Sequence, residues 1–347
     1  MKKFMISASA LALSGSMAFA MDEDAMDEEM MMEAPAPSFA LSGEAKMGIK
    51  NVSSSPSLGT DGLALIEDFQ VKFSASGTTD GGLMFGASLA IEQDGRDAGK
   101  VKGSTIYVGG AGGAWKLAFG DPDPGAWSSG GIGITEEDNI LRASGQKIEL
   151  SGAFQGASYV ITSSAPTDEG VSNQWSAGVT YDAGAVQVGV GMDSEKGLAL
   201  GVGTDLSGVG TSVFYAQSER TIPYQAAVEE VAATAGNVGS AAITERTAYL
   251  EKASGVGMSV SVPAGDSATF SAAYSTRKEE RTAVVTSGET DAGAGLPGNE
   301  TVKKIQLDFD YKLGGGATFN AGVDQEDSDV ASTGKKTTIE ASIKMEF

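Results

Sequence analysis

The chain has 347 residues and carries 24 Lys+Arg against 46 Asp+Glu, a net charge of −22, with no Cys and no His. That composition excludes disulfides, thiol nucleophiles, thiolate or histidine metal sites, and any histidine general base or Ser-His-Asp triad. It also argues against nucleic acid as a partner, because phosphate binding requires clustered Lys and Arg.

Residues 1–20 read MKKFMISASALALSGSMAFA. A basic start at Lys2 and Lys3, an apolar stretch and the Ala18-Phe19-Ala20 cleavage pattern predict an export signal peptide. The stretch is too short to span a bilayer as a helix. Residues 21–38 follow as MDEDAMDEEMMMEAPAPS, an acidic, Met-rich run closed by Pro35 and Pro37. Mutual repulsion and the lack of a periodic apolar face predict a flexible tail.

From Phe39 to Phe347 the dominant period is two. Phe39, Leu41, Ala45, Met47 and Ile49 alternate with Ser42, Glu44, Lys46 and Lys50. Leu65, Phe69, Val71 and Phe73 alternate with Asp68, Gln70 and Lys72. The last segment sets Ile339, Ala341, Ile343, Met345 and Phe347 against Thr338, Glu340, Ser342, Lys344 and Glu346. In a strand such sets lie on opposite faces. Sixteen strands are predicted, near 39–51, 64–77, 82–93, 102–110, 114–120, 145–154, 157–164, 174–182, 185–192, 198–205, 210–219, 245–262, 267–278, 302–313, 316–325 and 336–347. Alternation is faintest in the Gly/Ala-rich pair at 185–192 and 198–205. No helix is expected beyond a turn or two within Ala226–Ala235. Short Gly-rich turns, such as Thr78–Gly82, Gly109–Gly113 and Leu313–Gly316, alternate with longer polar connections.

Two architectures accommodate strands with one apolar and one polar face. In an exported soluble sandwich two apolar faces pack on each other. In a membrane barrel the apolar face meets lipid and the polar face lines a lumen. Charges on the polar face, alternating connection lengths and a last strand running to Phe347 favour the barrel, in which that strand closes on the first.

The motifs LSGEAKMGI (Leu41–Ile49), SGTTDGGLMFGAS (Ser76–Ser88), YVGGAGGAWKLAFGD (Tyr107–Asp121), YKLGGGAT (Tyr311–Thr318) and the terminal IEASIKMEF (Ile339–Phe347) resemble those of the sixteen-stranded Gram-negative general porins, alphaproteobacterial type. The resemblance covers residues 39–347 and is weakest from 157 to 245. It implies an all-β, sixteen-stranded antiparallel transmembrane β-barrel in the bacterial outer membrane, with the third loop folded into the lumen. It further implies a homotrimer surrounded by outer-membrane lipids, and recognition of the last strand, through Phe347, by the barrel-assembly machinery. The acidic segment 21–38 departs from the family pattern.

On this reading the protein is a water-filled channel for passive diffusion of small hydrophilic solutes and ions, with no catalytic residue and no cofactor. A structural or adhesive outer-membrane barrel with a plugged lumen is the alternative; mostly small or polar inward residues count against it. The third connection, Asp121 to Gln146, offers Asp121, Asp123, Glu136, Glu137 and Asp138 as an acidic constriction. Parity places Lys46, Lys50, Lys72, Lys336 and Lys344 on the inner wall of strands that become neighbours on closure. An acidic loop facing a basic wall would set a transverse field across the lumen. The lysines could instead pair with Asp68, Glu44, Glu340 and Glu346. Trp115, Phe119, Phe85, Phe309 and Phe347 are candidates for interface girdles. The acidic runs at Asp121–Gly125 and Asp324–Asp329 could take Ca²⁺ but lack EF-hand spacing. GAGLPG at 293–298 lacks the strand–helix context of a nucleotide loop.

Overall fold

A computed structural model describes residues 37–54, 62–95, 99–130, 140–141, 143, 145–164, 173–225, 246–284, 298–330 and 334–347. The predicted signal peptide, most of the acidic tail, the 226–235 segment and Glu136, Glu137 and Asp138 lie outside them. Sixteen strands form one closed barrel in which each pairs antiparallel with its chain neighbours and β1 pairs with β16.

The strands run β1 (Ser38–Ser54), β2 (Gly62–Thr78), β3 (Met84–Asp94), β4 (Lys100–Gly109), β5 (Trp115–Gly120), β6 (Gln146–Phe154), β7 (Ala157–Ser164), β8 (Trp175–Asp182), β9 (Val186–Asp193), β10 (Leu198–Leu206), β11 (Val209–Gln225), β12 (Arg246–Ala264), β13 (Ala268–Val284), β14 (Glu300–Gly314), β15 (Ala317–Ser328) and β16 (Lys335–Glu346). At one end of the barrel the connections have two to five residues; at the other they range from four to 25. Two helical pieces interrupt the all-strand expectation. A single 3-10 turn, Ala111–Gly113, fills the β4–β5 connection, and the short helix α1, Gly125–Gly130, opens the long connection after β5.

The period-two pattern translates directly into faces. Met47, Leu65, Phe73, Leu89, Phe119, Val190, Val202, Val213, Met258, Leu307 and Ile339 are exposed on the outside. Register places them side by side, as in Leu41 opposite Phe73 and Val202 opposite Val213. Among the described residues no segment of the chain covers this outer belt, as suits a lipid-facing surface.

Aromatic rings cover glycines near the short-turn end. A Cβ at Gly43 would lie 2.3 Å from the Phe347 ring, and one at Gly77 would lie 2.6 Å from Phe85. Phe347 also stacks on Phe69 at 6.3 Å and exchanges backbone hydrogen bonds with Gly43, of 2.7 and 3.0 Å. The last residue thus bonds β16 to β1, where the barrel closes. Phe309 is half-buried, with ring centroids 4.8 Å from Phe270 and 6.4 Å from Tyr311.

Above the β14–β16 arc, Asp329 accepts a 2.7 Å hydrogen bond from the Thr301 amide. That bond holds its carboxyl below the ordinary aspartate range. A depressed folded value means the contact is present above the unfolded aspartate pKa and is lost as pH falls through the lower, folded one. The protection factor of the Thr301 amide, its exchange rate relative to an unprotected amide at the same pH, is therefore expected to fall on acidification through that window. In Asp329→Asn the acid-dependent step should be absent; a step that survives would assign it to another carboxyl.

Candidate functional site: the barrel lumen and its third connection

The inner face carries the polar half of each strand, and the connection after β5 rests on it. The Gly125 amide donates to Thr162 Oγ1 at 3.0 Å, and the Ala126 amide donates to Ser176 Oγ at 2.8 Å. Both acceptors are inward residues of β7 and β8. Further round, a Cβ on Gly191 would lie 2.6 Å from the Ala126 carbonyl oxygen. The glycine is required there because helix backbone lies directly on the strand. Contacts of α1 extend over β7, β8, β9 and β10.

The returning arm is held on the next strands. Ile140 and Leu141 are fully buried in an apolar cluster with Ala126, Ala199, Phe214, Ala216 and Ala253, and Trp127 packs against it. A Cβ on Gly255 would meet the Ile140 side chain at 2.6 Å. Ser218 Oγ donates to the Ile140 carbonyl at 2.5 Å, and Trp127 Nε1 donates to the Leu141 carbonyl at 3.3 Å, joining the two arms. Asp193 is 4% exposed and accepts from the amides of Glu195 and Gly197 at 2.9 and 2.8 Å, and more distantly from Ala143. It fixes the β9–β10 turn and the returning arm together.

Of the acidic residues expected in this connection, Asp121 forms a 3.0 Å ion pair with Lys147 at the start of β6. Asp123 is exposed in the same approach. Lys46, Lys50, Lys72, Lys336 and Lys344 all share the inner face of β1, β2 and β16, on the side of the ring opposite β8 and β9.

They do not form a uniformly basic arc. Lys46 pairs with Glu340 at 2.7 Å. Lys344 lies between Glu44 at 2.9 Å and Glu346 at 2.6 Å, with its side chain 8% exposed. The reason is the seam register. Lys46 stands opposite Lys344, a repulsive pair on its own, with Glu44 opposite Glu346 and Lys50 opposite Glu340. Diagonal pairing across β1 and β16 relieves both like-charge contacts, and Gly48 leaves the space over which Lys46 reaches Glu340. Lys50, Lys72 and Lys336 make no ion pair with another described residue.

One charged cluster was not expected. Arg220 on β11, Glu251 on β12 and Arg277, Glu279 and Arg281 on β13 converge on the inner face near the long-loop end. Glu251 bonds Arg220 and Arg281, each at 3.0 Å, and Glu279 contacts Arg277 at 3.3 Å and also Arg281. The signal was available: Arg277, Glu279 and Arg281 recur at every second residue, on the inward parity of β13.

The acidic run on β15 does not gather into a cation site. Asp324 and Glu326 face inward and Asp327 outward, as strand parity dictates. Among the described residues no three carboxylates converge to hold a metal ion.

A model of the Gram-negative porin family matches residues 7–331. The chain belongs to that family. Solved porin structures share its fold at low identity. OmpT, an outer membrane protein of Vibrio cholerae in its trimer form, is 13% identical with a TM-score of 0.62, covering 90% of this chain and 100% of its own. The anion-selective porin from Comamonas acidovorans is 14% identical with a TM-score of 0.59 over the same shares. A mutant of the Rh. blastica porin is 12% identical with a TM-score of 0.59, covering 89% of this chain and 100% of its own. No curated protein matches the chain by sequence. The porin is a bacterial outer-membrane channel for passive diffusion, so the short-turn end is periplasmic and the long-connection end extracellular.

Proposed function

We propose that the connection after β5 is the constriction of this channel. The observation that carries this reading is the pair of hydrogen bonds from the Gly125 and Ala126 amides to inward Thr162 and Ser176. On this reading Asp121, Asp123, Glu136, Glu137 and Asp138 supply the negative charge of that connection. Across the lumen, Lys50, Lys72 and Lys336 supply the positive side of the field, while Lys46 and Lys344 are largely neutralised by Glu340, Glu44 and Glu346. Hydrated polar solutes align in such a field, and apolar ones must disrupt ordered water. The channel works without a cofactor and without catalysis. By analogy with the trimeric OmpT form it assembles as a homotrimer in outer-membrane lipid, with Phe347 read by the assembly machinery.

Single-channel recording in planar bilayers under a salt gradient tests this. Stepwise conductance in groups of three is expected; folded barrels that insert silently would favour the plugged structural barrel instead. Lys50→Gln with Lys72→Gln should shift the reversal potential toward cations without loss of barrel stability, because neither lysine makes a described ion pair. An unchanged potential would remove these lysines from the selectivity wall.

A further inference from the structure

A hollow of about 370 Å³ opens on the inner wall at the periplasmic end, across β8 to β12. Register builds it from two rows of inward residues. The upper row runs Asp182, Gln187, Gly203, Ser212 and Ser259, each opposite the next. The lower row runs Asp205, Gly210 and Ser261 in the same way. Gly203 and Gly210 make the floor, because neither places a side chain between the acidic flank and the serine flank. On β9 the hollow lies to the periplasmic side of Gly191, where α1 is seated. A solute entering the cell meets it just after the third connection.

The two flanks differ in chemistry. Asp182 Oδ1 accepts from the Gly184 amide at 2.7 Å, and Asp205 Oδ1 accepts from the Gly208 amide at 2.8 Å. Each turn thus fixes its carboxylate and leaves the second oxygen without a bond to another described residue. Neither carboxylate makes an ion pair with a described residue. Arg220, near the extracellular end, is the only cation among the described inward residues of β7 to β12. The two carboxylates stand on strands either side of β9, about 10 Å apart by strand spacing. On the other flank the Ser212 and Ser259 hydroxyls share a hydrogen bond of 2.7 Å, and Ser271 Oγ donates to Ser261 Oγ at 3.2 Å. A hydroxyl has one donor and two acceptor lone pairs, so each bonded pair keeps a donor and acceptors for a further partner.

We propose that this hollow binds amino sugars, with the ammonium against Asp182 or Asp205 and the ring hydroxyls along Ser212, Ser259 and Ser261. The lining selects that class. A plain alkylamine uses the carboxylates alone, and a neutral sugar gains no ammonium–carboxylate bond, which is roughly twice as strong as a neutral hydrogen bond. A solute carrying both groups uses both flanks at once. At about 370 Å³ the hollow falls within the ~300–1,000 Å³ usual for small-molecule sites. The inference rests on the reading of the barrel as a solute channel and adds to it a preferred class of solute.

The test is ligand-observed saturation-transfer NMR on the full chain in non-ionic detergent, in mildly acidic buffer that keeps amines protonated. The probes are D-glucosamine, D-glucose, N-acetyl-D-glucosamine and ethylamine. Glucosamine should bind most tightly, and added salt should weaken it. Asp182→Asn with Asp205→Asn keeps an acceptor for the Gly184 and Gly208 amides and removes both charges. It should weaken glucosamine by roughly tenfold, the worth of one charge-assisted hydrogen bond, and leave glucose unchanged. Ser259→Ala with Ser261→Ala should weaken glucosamine and leave ethylamine unchanged. In the parent protein, glucosamine binding no tighter than glucose would remove the carboxylates from the site, and binding no tighter than ethylamine would remove the serines. Either result overturns the proposal even if a variant fails to fold, as does glucosamine binding that survives the double Asn change. Single-channel conductance of the same preparations tests the pore separately, so a conducting channel without glucosamine preference sinks this inference alone.

Discussion

Replacing Ile140 and Leu141 together by alanine is expected to raise the mean single-channel conductance and add fast current noise, while the barrel itself stays folded. Both side chains are fully buried, yet neither residue belongs to any of the sixteen strands. Their burial is against the inner wall, beside Phe214, Ala216 and Ala253. Truncating a buried Ile or Leu costs about 2–5 kcal/mol. The hydrogen bonds that hold the two arms are each worth only about 0.5–1.5 kcal/mol net. The apolar seat therefore outweighs any one polar anchor, and removing it frees the returning arm without breaking a ladder bond. Thermal unfolding in detergent would confirm an intact barrel, and planar-bilayer recording would read the loop. Unchanged conductance and unchanged noise would mean that this connection does not limit the current.

That seat explains why the sequence is least periodic where it is. The outer positions of β9 and β10 alternate clearly as Val186, Val188, Val190, Met192, Leu200 and Val202. Their inner positions include Gly189, Gly191, Ala199, Gly201 and Gly203, which carry no polarity to contrast with the valines. A wall lining open water would show Ser, Thr or Lys, as β1 and β2 do. A wall covered by α1 needs small residues, and at Gly191 it tolerates no side chain at all. The faint alternation is thus the imprint of the loop on the strands beneath it, legible only once the contact is known.

Strand number and the assignment of faces were legible because each rests on a local rule of period two, whereas the extracellular ends of β11 and β13 run six residues past the predicted 219 and 278. The lysines of β1, β2 and β16 follow the same parity. Glu44, Glu340 and Glu346 were among the partners the sequence offered, but which lysine meets which carboxylate was not legible. Whether Lys46 meets Asp68, beside it on β2, or Glu340, farther along β16, depends on how β1 and β16 slide past one another on closure. No local pattern encodes that offset. The opposition of Lys46 to Lys344 then makes diagonal pairing favourable. The helical turn at Gly125–Gly130 was missed because six residues rich in Gly and Ser carry no helical periodicity, and its position is set by Thr162 and Ser176 on other strands.

Glu251→Gln should lower the stability of the barrel toward denaturant far more than any single change among its surface charges. The Glu251 side chain is 4% exposed and bonds two arginines, Arg220 and Arg281. Glu279, 5% exposed, bonds Arg281 and Arg277. Three guanidinium groups thus share two carboxylates. Neutralising Glu251 leaves three buried or half-buried cations around one anion, and removing one partner of a buried pair costs about 3–5 kcal/mol. The damage would be concentrated where β11, β12 and β13 meet. Arg281 also donates to the Gly298 carbonyl at 2.7 Å, and its own amide donates to Asn299 at 2.8 Å, so the start of β14 loosens with it. Glu280→Gln, one residue along from Glu279 but on the outer face beside Lys278, is the matched control. Its exposed, solvent-screened pair should leave the unfolding midpoint in place. Equal midpoints for the two variants would show that the cluster is screened by lumen water and contributes charge to the channel rather than strength to the wall.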